Sequence, residues 1–114
     1  MPTDAASTPT LNPEALALLP LQPLTTLTER QVRGITCVWD GIPLTPAIAV
    51  NLGARPASRA GQPVTFYPRG CRRCTGEAAF RALHDHAPGC PDRGEDITCA
   101  VCLTLLRLIR EGNR

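Results

Sequence analysis

Lysine is absent from all 114 residues, and the 12 basic side chains are all arginine. With so much alanine, proline, glycine and leucine, this is the composition of a high-GC bacterial genome. The missing lysine is therefore no sign of phosphate recognition, and the net charge of +2 decides nothing by itself. Aromatic residues are nearly missing too, being limited to Trp39, Phe66, Tyr67 and Phe80. Serine occurs only at Ser7 and Ser58, neither in a nucleophile-elbow context. There is no Gly-rich phosphate loop and no His-Glu-x-x-His motif, so no catalytic constellation stands out and an enzyme is not expected. No apolar run approaches the roughly 20 residues of a membrane span. The N-terminus, MPTDAASTPT, lacks a positive n-region, a continuous apolar stretch and a cleavage pattern. These absences lead us to expect no membrane partner and a reducing cytoplasm, where paired cysteines more often hold metal than form disulfides.

What the chain has is soft metal ligands. Cys71/Cys74 and Cys99/Cys102 are Cys-x-x-Cys pairs, His86-x-x-x-Cys90 lies between them, and Cys37 lies upstream. Zinc sites recruit ligands in such pairs because two residues on one tight turn can reach the same ion. Cys71-Arg72-Arg73-Cys74 follows a strand and a glycine and precedes a helix, as zinc knuckles do. A thioredoxin-like redox pair would need a surrounding βαβ pattern, which is absent. In Cys37-Val38-Trp39-Asp40-Gly41 the spacing and trailing glycine are those of a second knuckle, with Asp40 in the last ligand place. Aspartate is an acceptable zinc ligand, though rarer than cysteine. The competing reading makes Asp40 a turn residue and Cys37 a small buried hydrophobe. Cys99 and Cys102 share a face at a helix start, and His86 with Cys90 offers the complementary pair. His84 lies on an apolar stripe and reads as a packed or surface histidine. The expected sets are Cys37, Asp40, Cys71 and Cys74 around one zinc, and His86, Cys90, Cys99 and Cys102 around another. Spacing leaves a cross-braced combination open, and with it whether one or two ions bind.

The pattern predicts an α+β chain: a small zinc-stabilised domain built as a β-hairpin zinc ribbon followed by two helices. Residues 1–34 form a Pro/Leu-rich arm with short helices, residues 35–111 the zinc-binding domain and 112–114 a tail. In the arm, Asn12-Pro13-Glu14 begins a short helix that Pro20 stops. Thr26 and Glu29 have capping-box spacing for a second one. The arm's leucines are too many for an inert tail, so they either pack on the domain or dock on a partner. Strands are expected at 35–38, 47–52 and 64–67, with a polar hairpin loop at 53–62. Thr75 is the expected N-cap of a helix burying Phe80, Leu83 and Ala87 and ending at Pro88-Gly89. Asp96 or Thr98 would cap the last helix, whose stripe reads Cys99, Cys102, Leu103, Leu106 and Ile109. About 77 residues rarely supply enough apolar burial alone, and a structural zinc adds on the order of 10–16 kcal/mol of binding free energy.

Residues 35–111 resemble small, uncharacterised, zinc-ribbon-like cysteine-rich proteins of high-GC filamentous bacteria. The resemblance rests on Thr36-Cys37-Val38-Trp39, Asn51-Leu52-Gly53, Tyr67-Pro68-Arg69-Gly70-Cys71, Asp85-His86-Ala87-Pro88-Gly89-Cys90 and Leu108-Ile109-Arg110-Glu111. Two positions depart from the family pattern. Asp40 and Arg93 stand where those proteins tend to carry cysteine, and Cys102 takes over the second lost ligand from one helical turn after Cys99. The resemblance implies metal sites and no activity.

Charge distribution supplies the functional expectation. No acidic residue lies between Gly41 and Gly76, whereas Arg55, Arg59, Arg69, Arg72 and Arg73 do, together with Phe66 and Tyr67. Such a hairpin could track a nucleic-acid backbone and stack bases. Alternatively, Arg69, Arg72 and Arg73 balance zinc-bound thiolates. The expected function is a cytoplasmic structural-zinc module for macromolecular recognition, regulatory in role, with nucleic acid or protein as partner. The other reading is a thiol switch that releases zinc on oxidation.

Overall fold

The computed structural model describes residues 11–90 and 99–113. The chain is α+β. Two short helices, α1 (Pro13–Leu18) and α2 (Glu29–Val32), precede the strands β1 (Ala49–Asn51), β2 (Arg55–Arg59), β3 (Gln62–Phe66) and β4 (Arg69–Cys71). Two longer helices, α3 (Arg72–His86) and α4 (Ala100–Gly112), follow them.

The strands form one long antiparallel hairpin in two parts. Its stem pairs β1 with β4, Ala49 opposite Cys71 and Asn51 opposite Arg69. Its tip pairs β2 with β3, from Arg55 opposite Phe66 to Arg59 opposite Gln62. The stretch 53–62, expected as a loop, is thus mostly strand. Its prolines suggested otherwise, but Pro56 and Pro63 fall opposite Thr65 and Ser58. Counting from the closing pair Arg59–Gln62, these are pairs that exchange no backbone hydrogen bonds, so a missing N–H costs nothing there. The turn is only Ala60-Gly61, both with positive φ (52° and 79°), which matches the twist of the strands. The strand expected at 35–38 does not form. Thr36 makes an isolated bridge to Pro43, and the chain turns back at once, with Cys37 N donating to Ile42 O (2.8 Å) and Gly41 N to Cys37 O (2.9 Å).

In the arm, Asn12 caps α1 by accepting from Ala15 N at 2.9 Å, and the helix stops just before Pro20. The capping box belongs to Thr28 and Gln31 instead of Thr26 and Glu29: Thr28 Oγ1 accepts from Gln31 N, and Gln31 Oε1 accepts from Thr28 N at 2.8 Å. Residues Leu24–Thr26 are spent on a 3₁₀ turn. The arm is part of the core. Ala15, Leu16 and Leu19 are buried with Val38, Leu52, Ala79, Leu105 and Leu108, and Leu11, Leu21 and Leu27 pack against them. Of the arm's leucines, Leu18 is exposed at 45%, and the others are buried or half-buried.

Both long helices bury a face that overlaps the expected one only in part: Cys102 is buried and Leu83, Cys99 and Ile109 pack against the core as expected. On α3 the buried residues are Cys74, Thr75, Gly76, Ala78, Ala79 and Ala82, while Phe80 is 56% exposed. On α4 they are Val101, Cys102, Leu105 and Leu108, while Leu103 is 48% exposed. The cause is a close helix crossing. A Cβ on Gly112 would lie 2.8 Å from Arg72 O and 3.0 Å from Gly76 Cα. Main chains this near admit only small side chains between them, so α3 turns its alanine face to α4. Leucines occur all round α4, so periodicity alone could not choose its face. Asp96 and Thr98 lie outside the described residues, and Cys99 occupies the N-cap position of α4.

The crossing makes a test. Alanine normally improves a helix interior by up to about 1 kcal/mol over glycine. Gly112→Ala should instead destabilise by about 1–3 kcal/mol, because backbone must move to admit the methyl. Gly89→Ala, where an added Cβ meets nothing within 4 Å, should stay within about 0.5 kcal/mol of the parent in the same thermal melts. Equal melting temperatures for the two variants would contradict the close crossing.

Candidate metal centres

The first centre is assembled around Cys37. Its sulfur accepts the amide hydrogens of Trp39 and Cys71, both at 3.4 Å, while Val38 N donates to Arg69 O at 2.9 Å. The turn at 37–41 is thus laced to the end of β4. Cys71 is the N-cap of α3, a place expected for Thr75, and its sulfur accepts from Cys74 N at 3.4 Å. The helix begins as soon as the strand ends, which puts Cys71 and Cys74 on one side of its first turn. Thr75, displaced into that turn, is 1% exposed, and its Oγ1 has no hydrogen-bond partner. Asp40 completes the group, with Oδ2 3.2 Å from Cys74 Sγ and 3.9 Å from Cys71 Sγ. One donor atom from each of Cys37, Asp40, Cys71 and Cys74 lies within 4.8 Å of all the others.

Two neighbours hold this centre in place. Gly70 lets the Trp39 ring lie against the strand, since a Cβ there would collide with the ring and come within 2.7 Å of Thr75 Oγ1. Trp39 Nε1 in turn donates to Pro20 O at 2.8 Å. Gln31, buried, donates from Nε2 to Cys37 O and Val38 O, both at 3.2 Å. Sequence reading missed Gln31. A glutamine six residues before a knuckle carries no motif, and only its capping-box spacing from Thr28 marked it.

The second centre joins the end of α3 to the start of α4. Cys99 Sγ lies 3.6 Å from His86 Nε2, and Cys102 Sγ 3.7 Å from Cys90 Sγ. The four donor atoms again fall within 4.8 Å of one another. His84 is outside the group, exposed and edge-on to the Phe80 ring at 5.3 Å. Cys71 and Cys74 are grouped with Cys37 and not with Cys99 and Cys102, so the cross-braced combination does not arise. All six cysteines are free thiols.

Electrostatics make both groups fit for a cation. Burial pushes the Cys37 and Cys74 thiols up, and the neighbouring Asp40 carboxylate adds to the rise at Cys74. Burial and then Cys90 push Cys102 up to about 12. Cys99, at the helix start, is drawn down to about 7 by the Cys102 amide and His86. Burial also pushes Asp40 up, but thiol donation from Cys37, the Ile42 amide and then Cys74 and Arg73 outweigh it and hold the carboxyl below its usual value. A divalent cation at the centre of each group would reverse the effect of burial and favour thiolate.

The arginines divide. Arg55 donates to Leu16 O (3.1 Å) and Leu19 O (3.2 Å), capping the C-terminal end of α1, and burial lowers its pKa. Arg73, whose side chain is 72% exposed, reaches to 3.7 Å from Asp40 Oδ2. Arg59, Arg69 and Arg72 are exposed. Phe66 is buried, and Tyr67 is 62% exposed.

Comparison with known proteins finds no family model, curated protein or solved structure that matches this chain. The candidate centres therefore stand on their own geometry. Losing a residue that positions a ligand typically lowers metal affinity by about 10–100-fold. Gln31→Ala should show that loss at the Cys37 centre alone in chelator competition, leaving the His86 centre unchanged. Equal weakening of both would mean that Gln31 acts only through general stability.

Proposed function

We propose that this is a cytoplasmic structural-zinc protein: a zinc ribbon followed by two helices, holding two ions and serving macromolecular recognition. The observation that carries the reading is the pair of separate four-donor groups. Sulfur-rich sets completed by one nitrogen or one carboxylate suit zinc and disfavour magnesium or calcium, which take oxygen. The first set has one ligand pair on either side of a hairpin stem, which supports the ribbon reading. Asp40 and His86 would fill the fourth places, leaving neither ion the open position that hydrolytic zinc catalysis needs, which supports a non-enzymatic role. Free thiols throughout suit a reducing compartment.

The partner surface is the basic side of the hairpin. Arg55 is committed to α1, and Arg73 is turned to Asp40. That leaves Arg59, Arg69 and Arg72, with exposed Tyr67, on a stretch free of acids. Arginines spaced along a hairpin can track phosphates, and a tyrosine face can stack a base, so a nucleic-acid strand is the partner this surface fits.

Elemental analysis of the purified protein should find two zinc ions per chain, and a strong chelator should abolish the cooperative melt. Metal-free protein with three disulfides would overturn the reading. For the partner, anisotropy of a labelled single-stranded oligonucleotide should weaken steeply with salt. Arg59→Ala and Arg69→Ala should each lower the slope by roughly 0.7, whereas Arg55→Ala should lower stability instead. Absence of binding at low salt, in zinc-loaded protein, would remove nucleic acid as the partner.

A further inference from the structure

The two centres differ in which ligand meets solvent. In the first, Cys37, Cys71 and Cys74 are 0%, 4% and 8% exposed, and the ligand reaching water is Asp40, its side chain 27% exposed. A carboxylate has no accessible oxidation chemistry. In the second, Cys90 and Cys102 are buried, and the ligands reaching water are His86 and Cys99. A hollow of about 370 Å³, lined by Leu18, Ala82, Asp85, His86 and Gly89, opens beside that centre. The more exposed ligands are thus an inert carboxylate in one centre, and a half-buried cysteine beside a half-buried histidine in the other. The Cys102 and Cys90 sulfurs stand 3.7 Å apart, and Cys99 Sγ lies within 4.8 Å of both. A disulfide bond of about 2.05 Å is therefore within reach of a small side-chain movement.

We infer that the His86–Cys90–Cys99–Cys102 centre is a peroxide-responsive zinc site, while the Cys37–Asp40–Cys71–Cys74 centre is a permanent structural one. The inference rests on the zinc reading above and deepens it. A thiolate bound to zinc is already deprotonated and nucleophilic. Cys99 sulfur attacks one oxygen of the peroxide. An S–O bond forms, the O–O bond breaks, and the departing hydroxide takes a proton from solvent to become water. Cys99 is then a sulfenic acid. Cys90 or Cys102 thiolate attacks that sulfur, the S–S bond forms, and the S–O bond breaks with hydroxide leaving as a second water after protonation. Two thiolates have lost two electrons, and the peroxide has gained them. Zinc retains one thiolate and His86, too few donors to hold it. The rest of the fold has support away from this centre: α3 and α4 meet at Gly76 and Gly112, and the arm shares a core with Leu105 and Leu108.

The test uses zinc-loaded full-length protein, hydrogen peroxide at a small molar excess and a zinc-sensitive dye. One of two zinc ions should be released. Peptide mapping should place one disulfide among Cys90, Cys99 and Cys102, with Cys37, Cys71 and Cys74 still alkylated in full after unfolding, and far-UV circular dichroism should change little. Exchanging the exposed ligands should exchange the behaviour. Asp40→Cys should make both ions labile at the same dose, and Cys99→Asp should make the second ion resistant. Release of both ions or of neither by the parent would overturn the inference while leaving two structural zincs standing, as would an Asp40→Cys variant that still loses only one. A chain that binds no zinc would take the zinc reading down with it. Should Cys99→Asp fail to load its second ion, the Asp40→Cys result and the parent's disulfide map decide the matter.

Discussion

Cys37 Sγ receives backbone hydrogens from its own turn and from Cys71, 34 residues away. Around that sulfur the rest of the first half is hung. Val38 is bonded to the last strand, Gln31 ties the carbonyls of Cys37 and Val38 to the arm, and Trp39 lies against Gly70 while holding Pro20. These links fix the arm and the 37–41 turn against the end of the hairpin. The core is poor in volume, with three alanines of α3 contributing where a larger domain would bury leucine. A fully buried leucine adds roughly 1.5–3 kcal/mol, and only Leu19, Leu52 and Leu105 are wholly enclosed among the leucines. Long-range polar links and metal ligands therefore decide where the segments sit.

Those ligands also create a conflict that burial sharpens. The Cys37 sulfur, withdrawn from water, resists ionisation, yet the Trp39 and Cys71 amides donate to it, a geometry that favours thiolate. The protein has thus arranged its dipoles for a charge state that burial alone opposes. A cation at the centre resolves the opposition, and this is why the amide geometry argues more strongly for metal than proximity does. Asp40 fits the same logic, since it brings a negative charge that costs less at the surface than a fourth buried thiolate, and Arg73 stands 3.7 Å away to moderate it.

What could be read from the sequence follows the range of the interactions. The Cys-x-x-Cys spacings, the Asn12-Pro13 helix start and the stop before Pro20 are local, and each was legible because a few neighbouring residues determine it. The hairpin was visible as strands at 47–52 and 64–67, but β2 was not, because Pro56 and Pro63 are harmless only in the register that the Ala60-Gly61 turn sets. The faces of α3 and α4 were misread in part for a related reason. Phe80 and Leu103 look like core residues until the Gly76–Gly112 contact sets the spacing between the helices. Thr75 resembles an N-cap by residue type, yet Cys71 takes the position because β4 delivers the chain there. Gln31 acts through tertiary bonds to Cys37 and Val38, and nothing local announces that.

The same distinction narrows the surface left for a partner. Leucines in the arm looked available for docking, but Leu16 and Leu19 are core and Arg55 fastens their carbonyls to the hairpin tip. Residues that a composition count assigns to recognition are thereby spent on folding, and so is Phe66. The acid-free stretch then matters less for its total of arginines than for the ones with no structural duty. Arg59 stands at the hairpin tip, Arg69 on the stem and Arg72 at the start of α3. That sequence of positions runs along the hairpin towards the Cys37 group, away from Cys90, Cys99 and Cys102 beyond the far end of α3, so these arginines and the second donor group lie at opposite ends of that helix.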